Sequence, residues 1–165
     1  MRKEKYTNRM EKGRKNEKGL ILLKAVYKIL PISVIITYPV MFLIKAYLSF
    51  DRVLLLMVAV PAGTLLIVTL MRKTINRERP YIKHGTEPLI PKKSTGESFP
   101  SRHTASAFII AMSGFLLSPI LAGILLLVAA IIAITRIIAG VHYISDVLAG
   151  MLISVGIGLI FFILL

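Results

Sequence analysis

TASAFIIAMSGFLLSPILAGILLLVAAIIAIT, residues 104–135, contains no charged side chain. One helix crossing a bilayer needs about 20 apolar residues, so this stretch is too long for a single crossing. Ser118-Pro119 interrupts it, and proline starts a helix more readily than it continues one. The stretch therefore reads as a hairpin of two short helices. Outward from it, Val53–Met71 and Val147–Leu165 are likewise uncharged. Runs of this kind signal membrane spans, and the expected fold class is all-α: an integral-membrane bundle of about five transmembrane helices. The spans fall at about 31–48, 53–71, 101–117, 120–138 and 145–165. Pro39 is expected to kink the first and Lys45 to snorkel from its end.

The chain has 165 residues, 56% of them hydrophobic, and a formal net charge of +13. Eight of its 21 Lys and Arg fall in residues 1–19 and eight more in 72–103. Basic clusters that flank spans follow the positive-inside rule. A nucleic-acid-binding domain instead carries a basic stripe on a soluble fold, so no nucleic-acid partner is expected. The absence of cysteine excludes disulfides and thiolate metal sites. The basic N-terminal region is too long for a secretory signal, and no small-residue cleavage site follows it. Residues 1–19 read as a basic cytoplasmic tail, mobile or lying as a helix on anionic lipid. Leu20–Leu30, with Lys24 and Lys28 one turn apart, reads as an amphipathic lead-in, and residues 20–165 as a single transmembrane domain. Gly150, Ser154 and Gly158 recur four apart, a spacing that lets helices approach closely in lipid. Packing inside the bundle is the preferred reading, with a homodimer interface as the alternative.

Polar chemistry is concentrated where the apolar runs begin or end. The first block is RKTINRERP, residues 72–80; the second is PSRH, residues 100–103; the third is TRIIAGVHYISD, residues 135–146. Span counting brings all three to one membrane face. His142 and Asp146 are four apart, so on a helical turn they face each other. A carboxylate on one imidazole nitrogen fixes the tautomer and raises the basicity of the other, as a nucleophilic or general-base histidine requires. Taken alone, a histidine near a helix end is more often structural, but Arg136 six residues earlier shifts the balance. In the second block Pro100 suits a helix start, leaving the backbone N–H groups of Ser101, Arg102 and His103 free to hold an anion. Arg72 and Arg79 supply guanidinium forks suited to phosphate oxygens. Lys73, Arg77 and Lys83 read as topology signals. The loop at about 73–99 is rich in Pro, Gly and charge, and loops of this length are usually functional.

Spaced in this way, the blocks resemble the type 2 phosphatidic acid phosphatases, a superfamily that also contains bacterial acid phosphatases and vanadium haloperoxidases. The family pattern is Lys, six residues, Arg-Pro; then Pro-Ser-Gly-His; then Ser-Arg, five residues, His, three residues, Asp. Here Arg72 is followed after six residues by Arg79-Pro80, the second block is Pro100-Ser101-Arg102-His103, and Thr135-Arg136 leads to His142 and Asp146 at the family spacing. The resemblance covers about 72–165. It differs at Arg72, which stands at the lysine position with Lys73 as a possible substitute, at Arg102, which replaces glycine, and at Thr135, a mild change from serine.

The resemblance implies that His142 attacks phosphorus and forms a phosphohistidine, with Asp146 orienting it. It implies that His103 protonates the leaving oxygen and then activates water, and that Arg72, Arg79, Ser101, Arg102 and Arg136 hold the phosphoryl group. No metal and no other cofactor is expected. The substrate it implies is a lipid phosphate or diphosphate of the phosphatidic acid, phosphatidylglycerophosphate or polyprenyl type, drawn from the surrounding membrane lipids. A lipid phosphotransferase and a non-catalytic binder of anionic lipid are the alternatives. With an odd number of spans the N-terminus and the site share a side, and the basic N-terminal residues make that side cytoplasmic, in a bacterial plasma membrane.

Overall fold

The computed structural model describes residues 3–164. Its helices run in the order α1 (Lys3–Lys15), α2 (Glu17–Leu48), α3 (Arg52–Ile75), α4 (Pro80–His84), α5 (Arg102–Ser113), α6 (Pro119–Ile138) and α7 (Ile144–Leu159). A 3-10 turn, Gly114–Leu116, follows α5, and a π turn, Ile160–Leu164, follows α7. Local chemistry sets several boundaries. The side chain of Asn16 accepts the Gly19 N–H at the start of α2, and that of Asp51 accepts the Val53 N–H at the start of α3; both satisfy orphan donors of a first turn. Pro80 and Pro119 occupy first turns, where a missing N–H costs nothing.

By length and composition, α2, α6, the helix beginning at Arg52 and the continuous stretch Ile144–Ile163 that α7 and the π turn form can each cross a membrane. The fifth expected span, 101–117, resolves into α5, only 12 residues long, and the turn after it. Its position explains its shortness. α2, α3, α6 and α7 all pack against α5, and a helix surrounded by protein is not bound by the bilayer's thickness. Met57, Ile109, Ala129 and Ile132 form the dry centre of this packing. The outer faces present Ile35, Leu43, Leu66, Leu127 and Leu152, as lipid-facing surfaces do.

The small residues of α7 serve the bundle itself. A Cβ on Gly150 would stand 2.7 Å from the Ser101 carbonyl oxygen, and one on Gly158 would meet Met112. Ser154 Oγ donates to the Ala105 carbonyl at 2.8 Å. α5 thus occupies the close-packing stripe within one chain.

Two local readings change. The lead-in at 20–30 and the span at 31–48 form one uninterrupted helix, with Pro31 and Pro39 inside it. Within the basic stretch at the N-terminus, α1 docks on the bundle: its Tyr6 and Met10, one turn apart, are fully buried. They join Leu23, Tyr81, Leu89, Ala139 and Val141 in a second apolar cluster. Even a mostly polar helix docks when two large apolar side chains share a face.

Candidate active site

The C-terminal ends of α3 and α6 and the N-terminal ends of α5 and α7 carry the polar blocks, and their side chains meet at one end of the bundle. A cavity of about 200 Å³ there is lined by Tyr27, Arg72, Arg79, Lys92, Ser94, Glu97, Arg102, His103 and His142. Residues from all three blocks therefore face one space, His103 and His142 among them, with four cations and a single carboxylate around it.

His142 sits in the turn between α6 and α7, and Asp146 lies in the first turn of α7. His142 Nδ1 is 3.4 Å from Asp146 Oδ2, which leaves Nε2 for the cavity. The same Oδ2 accepts the Tyr143 N–H at 2.9 Å and the Ser98 hydroxyl. Its partner oxygen Oδ1 accepts Arg77 Nη1 at 2.8 Å. Asp146 is fully buried and His142 is 4% exposed. Burial holds the imidazole below the ordinary histidine range, outweighing the upward pull of the Asp146 hydrogen bond. The ring is therefore neutral near pH 7, with an unprotonated nitrogen available.

Arg72 and Arg79 are buried but only partly engaged. Arg72 Nη1 donates to the Pro100 carbonyl at 3.0 Å and Nη2 lies 3.8 Å from Glu97 Oε2, while Nε makes no hydrogen bond among the described residues. Arg79 donates from Nε to the Gly96 carbonyl at 3.1 Å and from Nη1 to the Val141 carbonyl at 3.2 Å. Backbone carbonyls thus aim both guanidinium groups without neutralising them. Lys73 is exposed and stands outside the cavity, so the arginine at the family's lysine position occupies the site.

Arg136 is only 1% exposed and stacks its guanidinium over the Tyr27 ring, 3.7 Å from the centroid. Its Nε and Nη1 make no hydrogen bond among the described residues. It lines an adjoining cavity with Tyr27, Lys92 and His103 rather than the one holding Arg72 and Arg79. Ser101 departs further from expectation. Its backbone N–H donates to the Asp146 carbonyl at 2.8 Å and is not free for an anion, and its buried hydroxyl accepts from Thr104 at 3.0 Å. Ser101 thus pins the start of α5 to the start of α7. Arg102 and His103 are exposed into the cavities.

Four contributors escaped the sequence reading: Arg77, taken for a topology signal, with Ser98, Lys92 and Tyr27. Arg77 lies inside the first block, and only proximity along the chain to the motifs marked Ser98 and Lys92. A third cavity, of about 480 Å³, opens beside the polar one and shares Arg102 and His103 with it. Its other lining residues include Val34, Ile35, Leu65, Ala107 and Ile132, so an apolar passage meets the charged chamber at His103.

The model of the PAP2 superfamily matches residues 52–165. Among curated proteins, the undecaprenyl-diphosphatase BcrC of Bacillus subtilis (strain 168) is 32% identical over 84 residues, 51% of this chain. That match spans only 43% of the relative's length. The crystal structure of Aquifex aeolicus LpxE superposes with a TM-score of 0.67 at 28% identity, covering 84% of each chain. The first transmembrane PAP2 type phosphatidylglycerolphosphate phosphatase from Bacillus subtilis has a TM-score of 0.66 at 23% identity, over 88% of this chain and 75% of its own; that likeness speaks for the fold alone.

Proposed function

The chain belongs to the PAP2 superfamily, and on that premise we propose that it hydrolyses a lipid phosphate or diphosphate through a phosphohistidine. One observation carries the reading: a cation-rich chamber with His103 and His142 in its wall meets an apolar passage at Arg102 and His103. A phosphorylated headgroup fits the first and a hydrocarbon tail the second.

In this reading Nε2 of neutral His142 attacks phosphorus and the bond to the leaving oxygen breaks. His103, protonated beside the bound phosphate dianion, gives that oxygen its proton. Water then attacks the phosphohistidine, His103 takes the water's proton, and inorganic phosphate leaves with His142 restored. Asp146 holds Nδ1–H throughout and stabilises the charge that forms on the ring. Arg72, Arg79, Arg102 and Lys92 meet the phosphoryl oxygens from the chamber wall, and the unpaired guanidinium atoms of Arg136 support the same role from beyond His103. Preoriented cations of this kind stabilise a transition state that spreads charge over oxygen. Ser101 acts by fixing the α5–α7 junction, and Lys73 has no part. The reaction is expected to run without metal, because these cations meet the charge.

The reading extends to topology. α1, the first turns of α2 and the chamber share one end of the bundle, and the basic residues at that end favour the cytoplasmic side. Lys93 is exposed in the long loop and the chain has no cysteine, so Lys93→Cys reports the side directly. An impermeant thiol reagent should leave it unlabelled in intact cells; labelling would put the site outside.

The activity test is phosphate release from purified short-chain lipid phosphates and diphosphates in EDTA. Release by the wild type and its loss in His142→Ala and His103→Ala support hydrolysis. Binding of the same lipids without release would leave a non-catalytic protein, and transfer to an added alcohol in place of release would make it a phosphotransferase.

A further inference from the structure

α1 is absent from the wall of the phosphoryl chamber, yet it grips the turn that carries His142. Tyr6 Oη donates to the Gly140 carbonyl at 2.9 Å in a buried bond, and Arg9 Nη2 donates to the Ile137 carbonyl at 3.0 Å. Gly140 has φ +76°, and a Cβ built there would lie 2.6 Å from Met10 Sδ and 2.8 Å from Tyr6 Oη. Backbone and α1 side chains are thus in direct contact, at a position where only glycine fits easily. The long loop holds the same turn from its other side. The Leu89 N–H donates to the Ala139 carbonyl at 3.0 Å, and Arg79 takes the Val141 carbonyl.

α1 is itself tied to that loop. Thr7 and Thr86 share a hydroxyl hydrogen bond of 2.9 Å, Arg14 Nη2 donates to the Glu87 carbonyl at 2.7 Å, and the Tyr6 ring lies 5.0 Å from that of His84. The helix therefore joins the loop that delivers Arg79 to the turn that delivers His142. Both must keep their relative positions if phosphorus is to sit between them, and a displacement of about 1 Å costs on the order of 100-fold in rate.

We propose that α1 is a clamp on the catalytic turn, with Tyr6 and Met10 as positioning residues for His142. The inference rests on the reading of His142 as the nucleophile. Burial pushes the Tyr6 phenol up to about 12, so it remains a donor across the physiological range. The charged and titratable groups that face His142 are Asp146 of α7, Arg72 of α3, Arg77, Arg79, Lys92 and Glu97 of the long loop, Arg102 and His103 of α5, Tyr27 of α2, Arg9 of α1 and the adjacent Tyr143. Tyr6 and Met10 lie outside that set and act through contact with Gly140, which keeps the turn closed over the ring. A loosened turn admits water to the imidazole, and its titration rises toward the ordinary 6.5.

Tyr6→Phe in the full-length, detergent-purified protein removes one hydroxyl and little volume. kcat should fall about tenfold, KM should stay within about twofold, and the ¹³C signal of the His142 ring should titrate at higher pH than in the wild type. Met10→Ala, which opens space beneath Gly140, should give the same signature. Wild-type kcat and titration in both variants would overturn the clamp. So would a loss of thermal stability with the His142 titration unmoved, since that describes a merely structural helix. If His142→Ala itself retains activity, the nucleophile assignment fails; if it is inactive while Tyr6→Phe and Met10→Ala both behave as wild type, only the clamp fails.

Discussion

Arg77 Nη1 stands 2.8 Å from Asp146 Oδ1, on the carboxylate oxygen that His142 does not use. Arg77 also stacks over the Tyr143 ring at 4.0 Å, which fixes its approach. A buried aspartate with partners on both oxygens stays ionised and holds one orientation. Because Arg77 lies outside the phosphoryl chamber, Arg77→Met should lower kcat about 10- to 100-fold, the usual effect of removing an outer hydrogen-bond partner, with KM little changed. Steady-state kinetics check this; wild-type kcat would make the pair incidental.

Ser98 acts on the other oxygen. Its hydroxyl donates to Asp146 Oδ2 and lies 3.5 Å from His142 Nδ1. Ser98→Ala removes a hydrogen bond to a buried charge, which costs about 1.5–3 kcal/mol. A lower thermal midpoint in detergent, with a several-fold fall in kcat, is the expected result. An unchanged midpoint would mean that other groups satisfy Asp146.

The pH dependence follows from burial. The folded protein favours neutral His142, so its ring should titrate below the ordinary 6.5, and lowering the pH through that point protonates Nε2 and removes the nucleophile. A ¹³C-histidine NMR titration measures this without interference from the substrate's own ionisation, with His142→Ala identifying the signal. A midpoint at or above 6.5 would show that the Asp146 hydrogen bond outweighs burial.

The glycines of the bundle give a graded packing test. Gly150→Ala would press its Cβ against the Ser101 carbonyl at 2.7 Å, backbone that cannot turn aside. Overpacking of this kind costs about 1–3 kcal/mol, and here it would also shift the start of α5, so both stability and activity should fall. Gly158→Ala would bring its Cβ to 2.6 Å from Met112 Cβ, an atom that no rotamer change moves aside, and Gly156→Ala meets nothing within 4 Å. Thermal midpoints should therefore place Gly156→Ala above both Gly150→Ala and Gly158→Ala; a Gly156→Ala midpoint at or below either would contradict the packing described.

Much of the architecture was legible because lipid imposes simple rules. Uncharged runs located the helices, and Ser118-Pro119 placed the break between α5 and α6. The pairing of His142 with Asp146 was legible because both belong to one turn. Ser98 and Arg77 were not, because they reach Asp146 from a loop without periodicity. The occupied N–H of Ser101 was hidden for a similar reason: its partner is a carbonyl on α7, and no local pattern announces it. α1 was obscured by its own charge. Only Tyr6 and Met10 betray its buried face, and two residues among many basic ones look like a topology signal until the turn at Gly140 is seen beneath them.

A phosphoryl group bound covalently to His142 is directly detectable. A short-chain lipid phosphate carrying ³²P in its phosphoryl group is mixed with the enzyme and quenched within milliseconds in alkaline detergent, where phosphohistidine survives. Wild-type protein should carry the label, lose it on acidification, and show none when His142 is replaced by alanine. Label retained by His142→Ala, or rapid phosphate release by wild type with no labelled protein at any time, would contradict the account.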